Sequence, residues 1–192
     1  MNDASEPARY TRLTRVLHWV TAVLVFCALF IGFVMVNSVS RYAGLLIVHK
    51  TLGVTILVVM LARVVNRLTH RGPALPPTVA RFERKLVVMS EVSLYAFLLS
   101  QPLLGWAMVS AGGGPIVLLG SIRLPRIAPF DADLFWVLRQ AHSVVAYALM
   151  AAIAAHIAAI VLHTVTLHDR MIDRMTFGLT SGRSGPNDGR PA

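Results

Sequence analysis

The most restrictive feature of this sequence is an apolar stretch near its C-terminal end, Val137 to Val165, that carries three histidines. The stretch is long enough to cross a bilayer, and ionisable groups at membrane depth are costly and usually functional. His142, His156 and His163 are separated by 14 and 7 residues. In an α-helix these steps return to within about 40° and about 20° of the starting direction, so the three imidazoles share one stripe. His142 and His156 lie about 21 Å apart along the axis, near opposite membrane faces.

Three further apolar runs are long enough to span a membrane: Val16–Val36, Leu45–Val65 and Leu86–Ser110. Only 14% of the residues are charged, whereas a soluble domain has about a quarter. The first run is too long for the core of a signal peptide and lacks a small-residue cleavage site. We therefore predict an all-α, integral membrane four-helix bundle with helices at about 16–37, 45–66, 86–110 and 137–165.

The polar segments divide the rest of the chain. Residues 111–136 are too interrupted by Gly and Pro to span, and we expect them to dip into the interface or cover one end of the bundle. HDRMIDRM at 168–175 resembles a short interfacial helix. The transmembrane domain is predicted over residues 1–175, and the composition of 176–192 predicts a disordered cytoplasmic tail. Pro102 is expected to kink the third helix and free a carbonyl.

The charged and cysteine residues restrict location and chemistry. The net charge of +9 would suggest nucleic acid in a soluble protein, but here the basic residues flank apolar segments. Of the 18 Lys and Arg, 13 lie on the side of the two termini and 5 on the other, so both termini are predicted to be cytoplasmic. Cys27 is the single cysteine, which excludes disulfides, iron–sulfur clusters, thiolate zinc sites and covalent haem attachment within the chain.

Depth sorts the histidines into two pairs. His49 and His142 are both near the outer ends of their helices, and His18 and His156 are both near the inner ends. One histidine in an apolar helix is often a packing residue, but four at two matching levels are hard to explain by packing. Two neutral imidazoles facing each other across a bundle are what a six-coordinate haem iron needs. We therefore assign all four as metal ligands.

Other residues match the same two levels. Gly32 and Gly53 follow His18 and His49 by 14 and 4 residues, and a missing side chain there leaves room for a flat macrocycle; helix packing is the alternative. Arg63 follows His49 by 14 residues, which suits the propionates of the inner haem. The remaining candidates for propionate contacts are Arg15, Lys50 and Arg67. All these cations have alternatives, as topology charges or, for Lys50, by snorkelling to water.

Two polar groups receive no cofactor role from the sequence. His163 lies near the cytoplasmic edge, where a histidine is usually structural, with a spare ligand or quinone contact as the alternative. Glu91 is about one turn inside the third helix and is expected to snorkel to the cytoplasm, with a proton or quinone role as the alternative.

Taken in order, the short motifs resemble those of the prokaryotic cytochrome b561 family, the four-helix dihaem cytochromes b. The matching pieces are RVLHW at 15–19, HKTLG at 49–53, R-x-x-x-R at 63–67, PLLGW at 102–106, SAGGGP at 110–115 and the two histidines of the fourth helix. The resemblance covers about residues 9–175, and it is the ordered set that is specific. Glu91 stands where the family often has a histidine.

The resemblance implies a multi-pass protein of the bacterial inner membrane with two bis-histidine haem b groups. It implies electron exchange with ubiquinone or another quinone, and in one branch of the family oxidation of superoxide on the periplasmic side. The partners it implies are membrane lipid, a quinone, and superoxide or a periplasmic redox protein; nucleic acid is not expected, and a homodimer is left open.

Two other functions remain as alternatives. The first is a haem-binding membrane anchor subunit that acts through a separate redox enzyme. The second is a transporter whose histidines bind a metal or relay protons. Metal transport sites usually group their ligands closely and include carboxylates, whereas these histidines form two distant pairs, so electron transfer is the preferred function.

Overall fold

The computed structural model describes residues 10–70, 81–165 and 175. Its four α-helices are α1 (Arg12–Val36), α2 (Tyr42–Thr69), α3 (Arg81–Ala111) and α4 (Ala132–Val165). All four are long and apolar enough to cross a membrane. The predicted all-α membrane bundle is confirmed. The N-terminal nine residues, most of the segment predicted as an interfacial helix, and the predicted tail lie outside the described residues.

All four helices begin three to five residues before the apolar runs that predicted them, and polar residues cap the first turns of α1 and α4. The Oγ1 of Thr11 accepts a hydrogen bond from the backbone N–H of Thr14 at 3.2 Å, which starts α1. The Asp131 carboxylate accepts from the N–H of Leu134 at 2.8 Å and starts α4. Such caps satisfy the free N–H groups of a first turn. α3 also begins early, at Arg81, and continues as one element through Pro102.

Helices that follow each other in the chain pack along each other: α1 on α2, α2 on α3, and α3 on α4. In the described part of the chain, α4 makes little close backbone contact with α1 or α2. α4 therefore meets α1 and α2 mainly through long side chains, and both predicted histidine pairs lie across these two gaps.

Near the middle of the bundle, five buried apolar side chains form one cluster. Their exposed fractions lie between 0% and 9%. We call this cluster the apolar layer, and its members are Val25, Ile56, Met60, Leu98 and Leu149. Many of the large apolar side chains elsewhere on the helices are exposed, as expected for surfaces that face lipid. The layer is thus the main packed core of the helices.

The segment between α3 and α4 covers one end of the bundle. Ile116 and Leu118 are buried, an antiparallel bridge joins Val117 to Arg123, and a short 3₁₀ turn spans Leu119–Ser121. The N–H of Leu119 donates to the Oγ1 of Thr51 in α2 at 3.0 Å. The segment therefore closes the end at which His49 and His142 lie, one of the two arrangements that its sequence suggests.

Candidate functional site

The structure brings His49 of α2 and His142 of α4 together at the covered end of the bundle. Their ring centroids are 6.3 Å apart and the ring planes are nearly perpendicular, at 81°. Bonds between a metal and an imidazole nitrogen are about 2 Å long, so rings on opposite sides of one metal ion are separated by roughly this distance. Both side chains are half-buried. We call these two residues the outer pair.

One nitrogen of His49 is already committed to the backbone. Its Nδ1 lies 3.1 Å from the carbonyl oxygen of Ala28 in α1. A carbonyl only accepts hydrogen bonds, so Nδ1 carries the proton and Nε2 is left with its lone pair. Histidines that bind metals usually donate their other N–H to a carbonyl or carboxylate in this way. The contact therefore prepares Nε2 of His49 for coordination.

Two glycines make room for the outer pair. A Cβ built on Gly32 would lie 3.3 Å from the Cε1 of His49, and one built on Gly105 would lie 3.1 Å from the Cε1 of His142. Gly32 was predicted as a site residue that clears space for a macrocycle. The structure shows a more direct reason for a glycine here, because the His49 ring itself occupies the space beside Gly32.

Gln101 of α3 is the polar side chain that contacts His142. Its Nε2 donates to the backbone oxygen of His142 at 3.0 Å and lies 3.3 Å from the ring Nε2. The Nδ1 of His142 and the Oε1 of Gln101 are buried with no hydrogen-bond partner among the described residues. Buried polar atoms without partners are costly. The described residues therefore leave two polar atoms at the outer pair that a further group could satisfy.

A cleft of about 310 Å³ opens between the outer pair and the covering segment. Gly53 lines it, and a Cβ there would meet nothing within 4 Å. Lys50 and Arg139 bring positive charge to the same cleft. The Nζ of Lys50 also donates to the carbonyl oxygen of Pro115 at 3.4 Å, which holds the covering segment to α2. The cleft is of a size typical for cofactor sites and is predominantly apolar.

At the other end, Arg63 joins the second pair of histidines. The guanidinium of Arg63 interacts electrostatically with both His18 of α1 and His156 of α4. It also lies over the ring of Tyr95, with its Cζ 5.3 Å from the centroid. We call His18 and His156 the inner pair. Both are half-buried, and Arg63 brings positive charge near both of them, as an anionic ligand there would require.

Trp19 of α1 contacts Met175, which lies beyond the C-terminal end of α4. Its indole N–H donates to the carbonyl oxygen of Met175 at 3.1 Å, and its ring meets the His18 ring edge to face at 5.7 Å. Met175 therefore lies against α1 close to His18 of the inner pair.

Two of the predicted arginines occupy different settings. Arg67 forms a bidentate ion pair with Glu91, with Nε–Oε1 at 2.9 Å and Nη2–Oε2 at 3.3 Å. Its guanidinium is thus engaged by a carboxylate, rather than standing free for a propionate. Arg15 is buried in α1, and Asn66 of α2, which is also buried, donates to the Oγ1 of Thr14, the residue before Arg15, at 2.8 Å.

The arrangement fits a bis-imidazole cofactor better than a clustered metal site. Among residues 10–70 and 81–165, no three His, Cys, Asp or Glu side chains come together as metal ligands do. The histidines instead form two pairs, each across a gap in the helix packing, with two side-chain-free positions and an apolar cleft beside the outer pair. These features suit a large flat group held between two imidazoles.

The sequence did not reveal the roles of two residues, Gly105 and Gln101, or the contact between Glu91 and Arg67. Gly105 lies in the PLLGW motif and Gln101 directly precedes Pro102, so both stand at noticed positions without an assigned role. Glu91 was expected to snorkel to the membrane surface rather than to pair with Arg67. A signal for Gly105 existed in its spacing, because it lies 14 residues after Glu91 and so falls at the outer level of α3.

Comparison with known proteins identifies relatives over most of the chain. The family model described as prokaryotic cytochrome b561 matches residues 9–178. Cytochrome b561 homolog 1 of Escherichia coli (strain K12) is 24% identical over 170 residues, which cover 87% of this chain and 96% of the relative. Cytochrome b561 homolog 2 of the same organism is 26% identical over 129 residues, covering 65% and 68%.

A further relative has a more specific name. The probable superoxide oxidase CybB of Yersinia pestis is 25% identical over 171 residues, which cover 87% of this chain and 95% of the relative.

Proposed function

The chain belongs to the prokaryotic cytochrome b561 family of haem-binding membrane electron-transfer proteins, and on that premise we propose that it holds two haem b groups and carries electrons between the periplasmic side of the inner membrane and the quinone pool. The observation that carries the proposal is the division of four histidines into an outer and an inner pair, each with one member on α4. The membrane setting rests on the four long apolar helices and the bacterial relatives.

We assign the outer pair to one haem and the inner pair to the other. Bound haem supplies reversible one-electron oxidation and reduction at its iron. The chain would supply two imidazoles to each iron, which would favour electron transfer over binding of oxygen or substrate at the metal. His49 is oriented by the Ala28 carbonyl, and Gly32 and Gly105 let the outer imidazoles approach their neighbours. Arg63 supplies positive charge to the inner pair.

The proposed donor on the periplasmic side is superoxide. Two superoxide anions release two electrons and leave two molecules of oxygen, and a quinone that takes up these electrons with two protons becomes a quinol. Lys50 and Arg139 beside the outer cleft attract an anion. The name of the Yersinia pestis relative supports the same donor. A periplasmic redox protein is the alternative donor.

The cofactor assignment is tested by single substitutions. We expect the purified chain to contain two haems by pyridine haemochrome, with a b-type spectrum. His142→Ala and His156→Ala should each lose one haem, because each removes a ligand of a different pair. His70→Ala is the matched control: His70 is exposed and bonds to Thr69, so both haems should remain. Retention of both haems in His142→Ala or in His156→Ala would contradict the pairing.

The direction of electron flow is tested in membrane vesicles. Enzymatically generated superoxide and, separately, a quinol are supplied, and haem reduction is followed optically. We expect superoxide to reduce the haems and added quinone to reoxidise them. If quinol reduces the haems and superoxide does not, superoxide is not the donor, and the periplasmic partner is another molecule. Reduction by dithionite but by neither biological donor would favour the haem-binding anchor subunit.

A further inference from the structure

A seven-residue step on all four helices places the apolar layer midway between two polar levels. In α4, Leu149 lies 7 residues from both His142 and His156. In α1, Val25 lies 7 residues from both His18 and Gly32. Seven residues advance the chain by about 10 Å and return to nearly the same direction, so each middle residue shares its stripe with the two ends.

The other two helices repeat the step. In α2, Ile56 lies 7 residues from both His49 and Arg63. In α3, Leu98 lies 7 residues from both Glu91 and Gly105. These four middle residues are buried and belong to one cluster, and Met60, which is fully buried, packs with them. All four helices therefore change from polar or glycine positions to an apolar side chain at the same depth.

Both levels carry polar side chains besides the histidines, among them Gln101 at the outer level and Glu91 at the inner level. Polar side chains inside a membrane can form proton relays. In α4 the two levels lie about 21 Å apart on one stripe. A polar connection between them would let protons cross the membrane without any redox work. The molecule therefore needs a break in hydrogen bonding between the levels.

The apolar layer provides such a break. Its five side chains have no N–H or O–H group, and apolar spaces in proteins stay dry. The buried hydroxyl of Thr21, one turn before Val25 in α1, donates to the carbonyl oxygen of Leu17 in its own helix at 2.7 Å. Tyr95 packs against the layer with its ring facing Arg63 on the inner side. Electron transfer needs no chain of hydrogen bonds, so a dry layer separates protons from electrons.

We propose that Val25, Ile56, Met60, Leu98 and Leu149 form a proton barrier that allows electrons but not protons to pass between the two histidine levels. The barrier is a property of the polypeptide, and it stands whichever donor or acceptor the protein uses. Its failure is also distinct from failure of the proposed function, since proton flux is measured without any electron donor.

The test uses the haem-loaded protein in vesicles of phosphatidylethanolamine and phosphatidylglycerol that enclose a pH-sensitive dye. A potassium diffusion potential drives protons across the membrane. Vesicles with the native protein should take up protons no faster than protein-free vesicles. Leu149→Gln should raise the flux at least about tenfold, the change that a barrier lowered by about 1.4 kcal/mol produces.

Two matched variants separate polarity from packing. Met150→Gln places the same amide at nearly the same depth, but Met150 is 42% exposed on the outside of α4, so the flux should stay at the native rate. Leu149→Ala removes volume and leaves the layer apolar, so the flux should also stay native. Haem content by pyridine haemochrome reports whether each variant is folded.

Two results would overturn the barrier. One is a haem-loaded Leu149→Gln protein with native proton flux, and the other is equal leakage from Leu149→Ala and Leu149→Gln, which would place the resistance in packing alone. If Leu149→Gln does not fold, Ile56→Gln on α2 makes the same change in the same layer. The same flux criterion then decides.

Discussion

Gly32 and Gly105 determine where the outer imidazoles lie because they have no side chains. The His49 and His142 rings occupy the space in which a Cβ on these glycines would point. A distance of 3.1 to 3.3 Å between a Cβ and the Cε1 of the ring is shorter than an ordinary van der Waals contact. An alanine at either position therefore requires the ring or the helix to move. The positions of the two imidazoles thus depend on residues of α1 and α3, although the histidines belong to α2 and α4.

Gly105→Ala is therefore expected to disturb one site only. Overpacking of this kind costs about 1–3 kcal/mol, which is enough to displace His142. We expect the haem content of the purified variant to fall from two toward one per chain, with the inner haem retained. Gly44→Ala is the control, because a Cβ at Gly44 meets nothing within 4 Å. Equal haem content in the two variants would show that the outer pair tolerates the methyl group.

At the scale of helices, the Arg67–Glu91 ion pair joins α2 to α3 near the inner level. Both side chains are partly exposed, at 47% and 39%, and the contact is bidentate. Arg67 is a candidate for a propionate contact, with a topology charge as the alternative. In the structure its guanidinium pairs with Glu91, while Arg63, one turn earlier in α2, interacts electrostatically with both inner histidines. The two arginines of the R-x-x-x-R motif thus have different tasks.

A double-mutant cycle tests this division. Arg67→Ala and Glu91→Ala are each expected to lower thermal stability slightly, and the double variant should lose less than the sum. The coupling should be about 0.2–1 kcal/mol, as for partly exposed ion pairs. Thermal denaturation in detergent measures it. Both single variants should keep two haems; loss of the inner haem in Arg67→Ala alone would restore Arg67 to the cofactor site.

The elements differ in how far the sequence determined them. Hydropathy located the four spanning helices because lipid demands long apolar runs, and helical periodicity placed the four histidines at two levels. Hydropathy did not locate the first turns of α1 and α4, because these turns are polar and are capped by Thr11 and Asp131. The Arg67–Glu91 pair depends on the rotation of α2 against α3, which no spacing within one helix reveals.

At the scale of the whole molecule, the charges around the four helices predict the orientation. The basic residues are concentrated at the two termini and in the connection between α2 and α3, with 13 on that side against 5 on the other. Positive charge is retained in the cytoplasm during insertion. Four spanning helices place both termini on one side, so the His49–His142 end is expected to face the periplasm.

Fusion proteins test the orientation directly. A fluorescent protein that matures only in the cytoplasm should fluoresce when fused after Ala192. Alkaline phosphatase, which is active only outside the cytoplasm, should be active when fused at Gly113 and inactive when fused after Ala192. The reverse pattern would show the opposite orientation, with the outer pair on the cytoplasmic side.

Because α4 carries one histidine of each pair, it also determines when the two sites can form during synthesis. α4 is the last of the four helices to be synthesised, and His142 and His156 are the second member of each pair. A nascent chain that ends before Ala132 holds His18 and His49 without either partner. Under the proposed assignment, neither site exists until α4 has been synthesised, so cofactor loading reports that α4 is in place.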